Sequence, residues 1–245
     1  MFDAHGHWGF APNGVAVARR ALEAGQGVFS CTVEPTAYAV DRDAFSACSN
    51  VRVGLGLHPW FVEAGSAGAS QIDAFRAQAA GARFIGEVGL DFGRAHVDSA
   101  DAQLAAFSAA MEAVARGFHV VSIHAVRSAT PVLDVLERTG ALDSCACIFH
   151  WFSGTSQELV RARRAGCYFS VGARMLATRR GRAYASQMPL ERLLVETDLP
   201  STAGERLEYD SYAQELTDTY EQLARLRGPE ARVAIDRTAR LLFGA

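Results

Sequence analysis

RFIGEVGL, residues 83–90, is a short apolar run carrying one carboxylate, Glu87, between Ile85 and Gly89. The run reads as a β-strand, and a carboxylate inside such a strand is expensive to bury without a partner. Working outward toward the N-terminus, similar runs occur at VRVGLGL (51–57), GVFSCTV (27–33) and MFDAH (1–5). Toward the C-terminus they occur at HVVSIH (119–124), ACIFHW (146–151), CYFSVG (167–172) and RLLVETD (192–198). The segments between them have helical spacing, clearest at Leu104, Phe107, Met111 and Val114, where offsets of three and four keep one apolar stripe facing inward. Asp98 stands at the expected N-cap of that helix, and Tyr212, Leu216, Tyr220 and Leu223 form a second stripe after the last strand. Strict β-α alternation predicts an α/β protein with a parallel sheet, and eight units in 245 residues match a closed (β/α)₈ TIM barrel. An open doubly wound sheet is disfavoured because no GxGxxG opens the first helix and no Walker A sequence occurs. Residues 229–243 read as one extra C-terminal helix. The stretch Gly65–Ser70 reads as a loop too short to divide the chain, so residues 1–245 are expected to form a single domain.

Composition narrows the function. A formal net charge of −3 argues against nucleic-acid binding through a broad basic surface, while leaving room for a local basic patch. All 24 Lys+Arg residues are Arg, which excludes a lysine Schiff base, a lysine base and a carbamylated-lysine metal bridge; a bridging ligand would have to be a carboxylate. Cys31, Cys48, Cys145, Cys147 and Cys167 are scattered, odd in number and without CxxC spacing, as expected of core thiols in a reducing compartment. The opening MFDAHGHWGF has neither a basic nor an apolar targeting segment, and no apolar run reaches membrane-spanning length. A cytoplasmic protein with no membrane association and no obligate protein partner is expected.

Six candidate metal ligands fall at the C-terminal ends of the predicted strands, where barrel enzymes place their chemistry. They are His5, His7, Glu87, His124, His150 and Asp198. His5 and His7, spaced H-x-H on an extended chain, point to the same side, which Asp3 shares. A lone histidine at a strand end is usually structural, but four histidines and two carboxylates on one rim exceed what one tetrahedral site uses. Two divalent ions bridged by Glu87 would use the set, with His5, His7 and Asp198 on one ion and His124 and His150 on the other. Zinc, manganese, cobalt and iron(II) suit these donors, and magnesium suits a wetter site. Asp198 is then expected to serve both as ligand and as general base for the attacking water, with Glu87 holding the reactive pair together.

These residues lie in motifs that resemble the TatD-type metal-dependent deoxyribonucleases of the amidohydrolase superfamily. The resemblance runs in order through FDAHGHW at the start, GLHPW (56–60), IGEVGLDF (85–92), VSIHAVRS (121–128), FHWFSG (149–154) and LLVETDLP (193–200). It implies a (β/α)₈ barrel, a two-metal site on the six residues and hydrolysis of DNA phosphodiester bonds, often from chain ends. The chain departs from the family pattern at Trp8 and Gly9 after His7, at Ala125 and Val126 before Arg127, and at Trp151 after His150. These departures alter pocket walls and leave the ligands in place.

Substrate-binding residues are expected at His58, Arg127 and Arg174. Arginine matches phosphate oxygens bidentately, and Arg174, Arg179, Arg180 and Arg182 cluster after strand seven. A solvated helix face would produce the same cluster. His58 either contacts substrate or fixes the turn before Pro59. Trp8, Trp60, Phe61 and Trp151 could stack on unpaired bases, while His96 and His119 are assigned to surface or packing. The leading reading is a metal-dependent hydrolase acting on DNA. Its rivals are a small-molecule amidohydrolase or lactonase on the same barrel, and a non-catalytic nucleic-acid binding module.

Overall fold

A computed structural model describes residues 1–244. Eight parallel strands lie side by side in chain order. They are β1 (Phe2–Gly6), β2 (Gly27–Cys31), β3 (Val51–Leu57), β4 (Phe84–Asp91), β5 (Val120–Val126), β6 (Ala146–His150), β7 (Tyr168–Val171) and β8 (Leu193–Val195). Helices α1 (Gly14–Glu23), α2 (Pro35–Ala44), α3 (Gly65–Ala79) and α4 (Ala100–Val114) alternate with the first five strands. After β5 come α5 (Ala129–Thr139) and α6 (Ala141–Ser144), and after β6 comes α7 (Ser156–Arg164). Helices α8 (Ala173–Leu176) and α9 (Arg179–Ala185) follow β7, and α10 (Tyr209–Arg227) and α11 (Glu230–Phe243) follow β8. The result is the expected (β/α)₈ barrel with its extra C-terminal helix. No described helix is long and apolar enough to cross a membrane.

The seam between β8 and β1 brings the two ends of the chain together at the site. Asp198 donates its backbone N–H to the His5 carbonyl at 2.9 Å, and His7 donates to the Leu199 carbonyl at 2.8 Å. Asp3 reinforces the seam from within, its carboxylate accepting the Thr197 N–H at 3.0 Å and the Thr197 hydroxyl at 2.7 Å. At the opposite end α11 closes the barrel floor. Phe243 stacks on Phe2 at 4.4 Å between ring centroids and approaches Phe29 and Phe84.

Four local expectations are corrected. Gly65–Ser70 forms the start of α3, with Gly65 in the left-handed region (φ 66°) at its first residue. Asp98 lies in a 3₁₀ turn, Val97–Ser99, and α4 begins only at Ala100. Within α4, Phe107, Met111 and Val114 are buried as expected, but Leu104 is exposed and Gln103 takes the inward place. Gln103 faces in because its amide carbonyl accepts the Asp91 N–H at 2.8 Å while its amide group donates to the His96 carbonyl. Trp8 is fully buried, packed edge-on against Tyr212 at 5.1 Å, and offers no stacking surface.

Strand ends also move. His124 lies inside β5, two residues before its end, and Asp198 lies three residues beyond β8 in a positive-φ turn (φ 60°).

The floor packing yields a stability prediction. Phe243→Ala empties the space among Phe2, Phe29 and Phe84 and should cost about 3–5 kcal/mol, read by urea denaturation. A loss below about 1 kcal/mol would show that the aromatic stack contributes little.

Candidate metal centre

Glu87 is buried in β4, and its two carboxylate oxygens face different histidines. Oε2 lies 3.4 Å from His5 Nε2 and 3.4 Å from His7 Nε2. Oε1 lies 2.8 Å from His124 Nδ1, 2.8 Å from His150 Nε2 and 3.3 Å from His58 Nε2. Asp198 Oδ1 completes the first group at 3.6 Å from His5 Nε2 and 3.5 Å from His7 Nε2. Donor atoms about 2.0–2.2 Å from one tetrahedral zinc ion would stand about 3.3–3.6 Å apart. The four distances linking His5 and His7 to Glu87 and Asp198 match that spacing. His5 Nε2 is buried and has no hydrogen-bond partner, a costly state for a ring nitrogen unless something else satisfies it. The donor set therefore fits a metal ion. Three groups of residues can converge on such an ion: His5 with His7 and Glu87, His5 with His150 and Asp198, and His58 with Glu87 and His124.

Four of the five ring nitrogens facing away from Glu87 are hydrogen-bonded, which fixes how those imidazoles point, while His150 Nδ1 has no hydrogen-bond partner. His5 Nδ1 meets Ser122 Oγ at 2.7 Å, and His7 Nδ1 meets the Cys31 carbonyl at 3.0 Å. His58 Nδ1 accepts the Trp60 backbone N–H at 3.2 Å, so the neutral ring carries its proton on Nε2 and donates toward Glu87. His124 Nε2 meets Asp91 Oδ2 at 3.1 Å, and His150 Nδ1 lies 3.8 Å from Glu196 Oε2.

The electrostatics reflect one negative charge surrounded by imidazoles. Burial would raise the Glu87 carboxyl, but His58, His150 and His5 outweigh it and hold the group well below the usual carboxylate range. Burial also lowers His5, pushed down to about 4, with the charge of His150 acting in the same direction. For His7 burial is outweighed by hydrogen bonds to Asp198 and Glu87, which raise it to about 10. Positive charge is thus favoured beside Glu87 and Asp198, where an ion can take the place of protons.

A model of the family described as TatD-related DNase matches residues 2–243. The chain belongs to that family. A relative from Enterobacter lignolyticus, a "3'-5' ssDNA/RNA exonuclease TatD", is 32% identical over 181 residues, covering 65% of each chain. One of the same description from Citrobacter rodentium is 31% identical over 172 residues, covering 65% of this chain and 64% of the relative. The chain thus spans just under two thirds of the length of these relatives. A TatD homologue from Escherichia coli has the same fold, with a TM-score of 0.81 at 22% identity, covering 100% of this chain and 98% of that one.

In this TatD family member the six expected ligands converge, and His58, expected at the substrate, joins them against Glu87. Arg174 is exposed on α8, with Nη1 3.9 Å from Asp198 Oδ2 and its guanidinium 5.9 Å from the centre of the Trp151 ring. Arg127 is exposed in a positive-φ turn (φ 53°) and makes no ion pair among the described residues. The other arginines divide differently. Arg180 donates to the Ser153 and Gly154 carbonyls, and Arg182 donates to the Leu176 and Ala177 carbonyls, so both brace loops. His119 packs as expected, its Nδ1 2.7 Å from the Ala82 carbonyl, and His96 stacks on Trp60. A cavity of about 300 Å³ opens over the cluster between His124, His150, Trp151, Ser153 and Asp198.

Two buried carboxylates escaped sequence reasoning. Asp91 lies four residues after Glu87 and contacts His124; strand alternation alone would have placed it on the same face. Glu196, two residues before Asp198, accepts the Trp151 N–H at 3.0 Å and the Ser170 hydroxyl. Only its place in ETD hinted at a role.

The seam gives a second prediction. Asp3→Ala removes the acceptor for the Thr197 N–H, the Thr197 hydroxyl and the His5 N–H. A destabilisation of about 2–5 kcal/mol should follow in urea, and a change under about 0.5 kcal/mol would show that the seam does not need the carboxylate.

Proposed function

We propose that the chain is a divalent-metal-dependent phosphodiesterase acting on DNA, with two ions shared through Glu87. The observation that carries this reading is the division of the histidines between the two oxygens of Glu87, which suits a bridging carboxylate. His5, His7 and Asp198 with Oε2 would hold one ion, and His124 and His150 with Oε1 the other. Divalent ions bound there, whether zinc, manganese or magnesium, would supply positive charge for a phosphoryl oxygen and acidify water.

The chain's own residues supply the rest. Asp198 has a side chain 21% exposed, against 3% for Glu87, and it borders the cavity. It is therefore the carboxylate placed to orient an incoming water and accept its proton. His58, donating from Nε2 toward Glu87, keeps the carboxylate charged without needing an ion of its own. Arg174, between Asp198 and the Trp151 ring, is placed to bind a phosphate by its guanidinium fork, and Arg127 lies free on the β5 side for a neighbouring phosphate. Trp60, Phe61 and Trp151 retain exposed aromatic surface, which suits stacking against unpaired bases. The nuclease names of the similar proteins support a nucleic-acid substrate over a lactone or amide.

Metal-supplemented protein should release nucleotides from DNA, a chelator should abolish the release, and Asp198→Asn should lower the rate on the order of 10²–10⁴-fold. A metal-loaded protein inert on DNA but active on lactones or amides would overturn the nuclease reading. Glu87→Ala tests the bridge separately: metal analysis should find fewer than two ions per chain, and two retained ions would remove Glu87 from the bridging role.

A further inference from the structure

Of the five histidines around Glu87, only His124 approaches it through Nδ1; the others present Nε2. The reversed ring leaves His124 Nε2 directed at Asp91 Oδ2, 3.1 Å away. The same oxygen accepts the Trp60 indole N–H at 2.6 Å, and Asp91 Oδ1 accepts the Gly93 N–H at 2.7 Å. Indole and peptide N–H groups can only donate, and an ionised carboxylate can only accept. The His124 contact is therefore satisfied only when Nε2 carries a proton. In the neutral ring that arrangement leaves the lone pair on Nδ1, aimed at Glu87.

We infer that Asp91, itself held by Trp60, is the positioning residue that fixes His124 in its Nε2–H form and thereby makes Nδ1 available as a ligand. The inference rests on the metal-centre reading above. Asp91 is anchored from both ends, since Gln103 accepts its backbone N–H at 2.8 Å. Trp60 is held as well, stacked on His96 with ring centroids 4.8 Å apart and planes 13° from parallel. Trp60 also donates its backbone N–H to His58 Nδ1. One residue thus sorts two imidazoles: His58 becomes a donor toward Glu87, and His124, through Asp91, becomes a ligand. Asparagine could not reproduce this arrangement. Its amide has one oxygen and one NH₂, so either the Gly93 N–H or the Trp60 and His124 N–H groups lose their acceptor, and the negative charge that favours the Nε2 proton is gone.

The test titrates Zn²⁺ into the metal-stripped full chain against a competing chelator, beside imidazole ¹⁵N spectra of the zinc-loaded protein. Wild type should hold two ions, with zinc on Nδ1 and the proton on Nε2 of His124. Asp91→Asn should weaken one of the two ions by about 10–100-fold and leave the other unchanged. Trp60→Phe keeps the half-exposed ring but removes its N–H, and should weaken the same ion by a smaller factor. It also serves as the test if Asp91→Asn fails to fold. Unchanged affinity for both ions in the folded variants would overturn the inference, as would a His124 proton found on Nδ1. Equal weakening of both ions with a lowered melting temperature of the metal-stripped protein would reduce Asp91 to a structural role. A wild-type chain that binds no Zn²⁺ would instead remove the metal-centre reading itself.

Discussion

A single carboxylate buried among five imidazoles is the constraint on which this molecule is organised. Glu87 cannot be taken out of water alone, because an unpaired buried charge costs several kcal/mol. Its partners come from beyond its own strand: His5 from β1, His124 from β5, His150 from β6, with His7 and His58 just past β1 and β3. Residues so far apart in sequence can meet at one point only if their strands converge. Parallel strands in a barrel do this at their C-terminal ends, and the helices on the outside leave that rim open. The requirements of the charge and the geometry of the fold thus coincide at one place.

Convergence also depends on closing the sheet where the two ends of the chain meet. The final strand is only three residues long, so the work of joining it to β1 passes to the turn that follows. Asp198 and His7 exchange backbone hydrogen bonds with the opposite segment, and Asp3 ties Thr197 from beneath. Those same bonds set the Asp198 side chain beside His5 and His7. Closure of the barrel and completion of the first ligand group are one event, and for that reason a carboxylate outside any strand can hold a precise position.

The parts of this arrangement legible in the sequence were those governed by periodicity. Eight apolar runs in alternation with helical stripes led to the barrel, and the β3 limits and the terminal helix were placed almost to the residue. The six candidate ligands were legible because polar side chains at the ends of apolar runs stand out. What escaped depends on contacts between distant segments. Leu104 fits a helical stripe as well as Gln103 does, and only the Asp91 N–H on another element selects the amide. Trp8 reads as a surface aromatic until Tyr212, some two hundred residues later, is found to cover it. Asp91 and Glu196 are ordinary acidic residues in sequence, and their significance appears only when the ring nitrogens they face are in place. GLHPW leaves His58 between a substrate contact and a turn-fixing role; its Nδ1 accepts the Trp60 N–H, and nothing in the motif reveals that its Nε2 reaches Glu87.

The backbone beside the ligands is where the fold accepts strain. Arg127, Trp151 and Asp198 all have positive φ, at 53°, 39° and 60°, and none is glycine. Each such residue costs on the order of 1–3 kcal/mol and persists only where its surroundings over-determine it. The surroundings are identifiable in two cases: Glu196 accepts the Trp151 N–H, and the His5 carbonyl accepts that of Asp198. For Arg127, Ser128 beside it bonds the Leu90 carbonyl through its hydroxyl at 2.6 Å, tying the turn to the end of β4. The turns direct the chain sharply away from the strand ends, so that the Trp151 ring borders the cavity without covering Asp198, and the Arg174 guanidinium stands beside that ring. Four of the candidate ligands, His5, Glu87, His124 and His150, sit on strands whose positions are set by sheet hydrogen bonds, whereas Trp151 sits on a turn whose N–H is held by Glu196. Changes in what the cavity admits can therefore occur at Trp151 without moving a strand-borne ligand, and Trp151 is one of the positions where this chain departs from the pattern of its family.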